Sequence, residues 1–126
     1  MNIFTLTESK RTPEVVFNLE SSELIFNGVS IPEDVQLFYS PLFSWIEVNK
    51  LDLIKNSNPL IVKFNFKYFN SVSLKFIVSL LKYLITIKGY EKLHIIWFYD
   101  KDDEDMLETA KDISSILNIP IEYSLR

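Results

Sequence analysis

The chain has 126 residues, 48% of them hydrophobic, and a net charge of −4 with pI near 5.0. That allows one core of ordinary domain size and argues against the basic stripe a nucleic-acid backbone needs. The absence of cysteine removes disulfides, thiol nucleophiles and thiolate metal sites, and two glycines are too few for a dinucleotide fingerprint or a P-loop.

Met1–Arg11 mixes polar and charged residues and holds no apolar leader. No uninterrupted apolar run approaches a membrane span, so a cytoplasmic protein without membrane insertion is expected. Glu14–Leu19 and Glu23–Asn27 are short apolar-rich runs around Glu20-Ser21-Ser22, which predicts a β-hairpin. A turn follows through Gly28-Val29-Ser30-Ile31-Pro32. Asp34–Tyr39 has helical character, but Pro41 would break a helix interior. With Ser40 as N-cap and Pro41 as first helical residue, the main helix is expected from Pro41 to about Lys50. Asn56-Ser57-Asn58-Pro59 reads as a turn, Leu60–Phe69 as a strand, and Ser71–Lys88 as a helix closed by Gly89. Leu93–Tyr99 is the most apolar strand. Asp103–Leu117 is a helix with Met106, Ala110, Ile113 and Leu117 inside, and Ile119–Tyr123 is the last strand.

After the hairpin, strands and helices alternate, which implies right-handed crossovers and a mostly parallel sheet. Along Leu60–Phe69, Lys63, Asn65 and Lys67 fall on one face and Val62, Phe64, Phe66 and Tyr68 on the other. A parallel strand covered on both sides would be apolar throughout. The expectation is therefore an α/β fold: a single STAS-like domain over residues 1–126 with a mixed sheet of about five strands. The hairpin lies at one edge, and the helices pack mainly on one face.

Chemistry concentrates at Lys67-Tyr68-Phe69-Asn70-Ser71-Val72-Ser73-Leu74-Lys75, where a strand runs into a helix. A serine there serves either as an N-cap or as a phosphoacceptor, since the free N–H groups of a helix start favour negative charge. At about 100° per residue, Ser71, Lys75, Ser79, Lys82 and Thr86 share a narrow polar stripe. Ser73 points about 200° from Ser71, toward the apolar arc. That arc is wide, with Val78 at its edge, and either burial or a docking surface beside Ser71 accounts for its width. Asp100, Asp102, Asp103, Glu104 and Asp105 form an acidic cluster without EF-hand spacing. Helix capping by Asp102 or Asp103 explains most of it, and partner contact is the next reading. Asn70, Ser71, Lys75, Val78, Lys82, Asp102 and Asp103 are thus the candidate partner-binding residues. His94, the one histidine, lies in an apolar strand without a nucleophile beside it. No catalytic residue, metal site or cofactor is expected.

Five stretches together resemble the SiaC-type bacterial regulatory phosphoproteins. They are Thr12-Pro13; Ser30-Ile31-Pro32-Glu33-Asp34; Phe38-Tyr39-Ser40-Pro41-Leu42 with Trp45-Ile46; Tyr68-Phe69-Asn70-Ser71-Val72-Ser73; and Trp97-Phe98-Tyr99 running into Asp102–Met106. The resemblance implies a non-catalytic partner switch akin to anti-sigma-factor antagonists. A cognate serine/threonine kinase would phosphorylate the hydroxyl after the junction Asn, here Ser71 with Ser73 as runner-up, and a PP2C-like phosphatase would reverse it. The unphosphorylated form would bind an effector such as a diguanylate cyclase, linking it to cyclic di-GMP and biofilm regulation. Serine stands where the family often has threonine, and Ile31 where an aromatic commonly precedes Pro-Glu. The alternative is a STAS-like domain binding a small anionic ligand or nucleotide at the same helix N-terminus.

Overall fold

The computed structural model describes residues 2–126; the domain expected over 1–126 includes Met1, which lies outside the described residues. Its elements are β1 (Ile3–Leu6), β2 (Glu14–Asn18), β3 (Glu23–Ser30), α1 (Val35–Val48), α2 (Lys50–Lys55), β4 (Leu60–Phe69), α3 (Ser71–Lys88), β5 (Leu93–Tyr99), α4 (Glu104–Leu117) and β6 (Ile121–Leu125). The strands form one mixed sheet in the order β1-β2-β3-β4-β5-β6. β1, β2 and β3 pair antiparallel, whereas β3 through β6 pair parallel. Each parallel strand joins on the same side of the last, so right-handed crossovers place all four helices on one face. That face holds Leu24, Phe26, Leu60, Val62, Phe64, Phe66 and Trp97, all fully buried. On the open face Lys63 pairs with Glu23 at 2.7 Å, and Asn65 donates to Asn27 at 2.6 Å.

Three expectations need correction. The sheet has six strands rather than about five, because β1 pairs outside β2 and moves the hairpin inboard from the edge. β1 is four residues among polar neighbours, too short for its period to stand out. What fixes it is tertiary: Phe4 packs on Trp45 with ring centroids 5.8 Å apart.

The first long helix begins at Val35, not Pro41. Asp34 is its N-cap and accepts the Leu37 N–H at 3.0 Å, so Ser40 is not the cap and Pro41 lies inside the helix. A proline there deletes the hydrogen bond to the carbonyl four residues back, which belongs to Leu37. Leu37 is 72% exposed, so water can reach that end of the helix, while Tyr39, Leu42 and Ile46 hold the inner face in the core.

Tyr68 leaves the apolar face of β4. The β3–β4 register steps from Gly28↔Phe66 to Val29↔Tyr68, which leaves Lys67 as an extra residue, a β-bulge. The inside–outside alternation therefore flips. Tyr68 becomes 57% exposed, and Phe69 turns inward to lie 5.4 Å from Phe66 and 5.9 Å from Trp97. Gly28, opposite the bulge, has φ +112, and a Cβ there would meet Glu8 at 2.5 Å.

The wide apolar arc of α3 is mostly consumed by burial. Phe76, Ile77, Leu80, Leu81, Leu84 and Ile87 are buried, and Leu74, Val78, Tyr83 and Ile85 pack partly against the core. α3 is flanked by α1 and α2 as well as by α4. Gly89, with φ 81, is the C-cap of α3, as the sequence suggested.

Candidate functional site

The loops after β3, β4 and β5 leave the same end of the parallel sheet, since these strands run side by side in register. The β4–α3 junction is centred on Asn70. Its side-chain oxygen accepts the Ser73 N–H at 2.9 Å, its carbonyl accepts the Leu74 N–H at 3.0 Å, and its own N–H donates to the Ser30 carbonyl at 3.3 Å. Asn70 is therefore the N-cap, and the capping role weighed for serine does not fall on Ser71. Ser71 is the first residue of the helix and is exposed. It stands beside the N–H groups of Ser71 and Val72, which precede any intrahelical partner.

Ser73 is fully buried. Its hydroxyl lies 2.9 Å from the Ser30 carbonyl and 2.9 Å from the Ser30 hydroxyl, which lies 2.7 Å from the Tyr39 hydroxyl. This chain of hydroxyls ties the end of β3, the first turn of α3 and the inner face of α1 together. Burial pushes the Tyr39 phenol well above its ordinary value, outweighing the lowering by its bond to Ser30. Tyr39 also stacks on Phe76, with centroids 3.7 Å apart. Ser71 lies at the surface, whereas Ser73 becomes accessible only if this network opens.

Of the other expected partner-binding residues, Lys75 and Lys82 are exposed on the Ser71 stripe of α3, and Val78 is half-buried at its edge. Asp103 is the N-cap of α4 and accepts the Met106 N–H at 3.0 Å, so the capping reading falls to Asp103 rather than Asp102. Asp102 is exposed at the same end of the sheet as Ser71. Asp100 leaves the acidic cluster for Arg126, whose Nε and Nη2 each donate to its carboxylate at 3.0 Å. That bond, with further help from the charges of Arg126 and Lys67, holds the Asp100 carboxyl below its usual value. Among the described residues, no three His, Asp or Glu side chains gather as a metal site. His94 is exposed on the open face of the sheet beside Ile61, away from the junction.

The model of the family described as "SiaC family regulatory phosphoprotein" matches residues 6–125. The chain belongs to the SiaC family. No curated protein sequence matches it. Among solved structures, the chain is similar to SiaC of Pseudomonas aeruginosa, with a TM-score of 0.79 at 20% identity over 100% of this chain and 98% of that one. The apo-SiaC crystal structure from the same organism gives a TM-score of 0.80 at 20% identity, covering 100% and 99%. A crystal structure of the diguanylate cyclase SiaD in complex with its activator SiaC, also from Pseudomonas aeruginosa, gives 0.84 at 21% identity, covering 98% and 99%. At such identities the structural likeness speaks for the fold, and the family match for membership among regulatory phosphoproteins.

Within this SiaC-family chain, sequence reasoning passed over the structural roles of Ser30 and Tyr39. A polar residue at the inward-facing end of β3 was the available signal, but its partners lie 9 and 43 positions away. The clip of Arg126 to Asp100, Asn65 and the Phe66 carbonyl left no local trace at all.

Proposed function

We propose that the chain is a non-catalytic, phosphorylation-controlled partner switch acting in the cytoplasm as a single module, with Ser71 as its phosphoacceptor. A cognate serine/threonine kinase adds the phosphate and a PP2C-like phosphatase removes it. The form with a free Ser71 hydroxyl binds and activates its effector, a diguanylate cyclase. One observation carries the reading: in a chain of a regulatory phosphoprotein family, Ser71 is exposed at the start of α3 while Ser73 is locked beneath it.

The physics is local. A phosphate adds about −1.5 to −2 charges at the helix N-terminus, where dipole and N–H groups favour it by about 0.3–1 kcal/mol. The fold survives, while a partner surface shaped for a neutral hydroxyl meets a hydrated dianion whose unpaired burial costs several kcal/mol. Asn70, Asp102 and Asp103 share the end of the sheet that such a partner would cover, and Lys75, Val78 and Lys82 extend that surface about three turns along α3.

The test is incubation with a kinase encoded in the same gene neighbourhood and ATP, followed by intact-mass analysis and peptide mapping. One phosphate on Ser71 is expected, with Ser71→Ala unmodified yet binding the cyclase constitutively and Ser71→Asp binding it more weakly. Phosphate on Ser73, or full phosphorylation of Ser71→Ala, would sink the assignment.

A further inference from the structure

The open face of the sheet, turned away from the helices, carries a row of hydrogen bonds across β2, β3 and β4. Arg126 offers only donors, so the Asn65 oxygen must face it, and Nη1 donates there at 2.6 Å. The Asn65 amide then donates to the Asn27 oxygen at 2.6 Å, and the Asn27 amide to Glu14 Oε1 at 3.4 Å. These side chains, with Glu8, Gly28 and Lys67, line a cavity of ≈ 240 Å³. Gly28 admits Glu8, since a Cβ there would stand 2.5 Å from the Glu8 carboxylate oxygen. Arg126 is spent on Asp100, which accepts from its Nε and Nη2. Lys67 acts on Asp100 through space without pairing with it. Glu8, Glu14 and Lys67 belong to no ion pair among the described residues.

We propose that this cavity binds a small free α-amino acid, its ammonium held by Glu8 and Glu14 and its carboxylate by Lys67. Two anions and a cation line one concavity without meeting. A zwitterion makes charge-assisted hydrogen bonds to both signs at once, where a simple ion answers only one. The fixed sense of the amide row leaves Glu14 with a single long hydrogen bond, so its carboxylate keeps accepting capacity for an ammonium. The volume, ≈ 240 Å³, is the space of about eight waters, a fit for glycine, alanine or serine. Glu8, Glu14 and Lys67 are all exposed, so the ligand enters from solvent without any element moving. The site lies across the sheet from α3 and does not depend on the role of Ser71.

Calorimetric titration of the full chain with glycine, L-alanine and L-serine tests this, with methylamine and acetate as single-charge probes. At least one amino acid should bind with a dissociation constant below about 1 mM, and methylamine and acetate about tenfold more weakly or worse. Glu14→Gln and Lys67→Met should each raise that constant about tenfold or more, with circular dichroism unchanged. Ile116→Glu, on the exposed side of α4, should leave it as it is. In NMR spectra of the unmutated chain, the bound amino acid should shift the side-chain amide signals of Asn27 and Asn65. No amino acid binding tighter than about 1 mM, equal binding of methylamine or acetate, indifference to both cavity variants, or shifts confined to other residues overturns the proposal.

Discussion

Ser71→Ala and Ser73→Ala each delete one hydroxyl, and the deletions differ in what they leave behind. Ser71 is exposed, so its loss should change stability by no more than about 0.5 kcal/mol. Ser73→Ala strips partners from the buried Ser30 hydroxyl and carbonyl, and should cost about 1–3 kcal/mol in urea unfolding. Equal midpoints for the two variants would show that the buried network contributes nothing. Tyr39, at the other end of that network, sets an alkaline limit. Its folded value is raised above the ordinary 10.0, so the stability it contributes is fully present below that pH and fades as pH rises beyond it. Tyrosinate absorbance of Tyr39 should therefore appear together with loss of the circular dichroism signal. Tyr39→Phe should move that loss to higher pH, and an unmoved alkaline transition would exclude Tyr39 as its cause.

Helix starts and strand irregularities decide where the site sits. Asn70 is the cap that turns β4 into α3, and its choice over serine releases Ser71 for other chemistry. α1 shows the opposite case, a local rule overridden by packing. Pro41 interrupts its ladder, yet Tyr39, Leu42 and Ile46 are buried on the inner face and Asp34 caps the start. Pro41→Ala restores the missing N–H and should raise stability by up to about 3 kcal/mol, read as a higher urea midpoint. A lowered midpoint would mean that the packing of α1 depends on the proline. The bulge at Lys67 acts on the same end of the sheet, since it turns Phe69 into the core immediately before the cap.

At the scale of the molecule, all four helices share one face, and the end of the sheet that carries Ser71 also carries the loops after three parallel strands. Phosphate at such a rim adds charge where no core residue must move. The protein with phosphoserine at position 71 should melt within about 4 °C of the unmodified one by circular dichroism, and a large drop would replace local blocking with unfolding as the mechanism. The sequence by itself determined the mostly parallel α/β plan, the bounds of β4, α3 and β5, and the exposed Ser71. These follow from local periods, caps and the alternation of strands with helices, all written in neighbouring residues. Only the tertiary structure decided that β1 joins the edge, that Pro41 stays helical, that Tyr68 faces out, and that Arg126 claims Asp100. It also decided which serine is free. Ser73 is locked by Ser30, itself bonded to Tyr39, and the Ser30–Ser73 bond spans 43 positions that no local window of sequence covers.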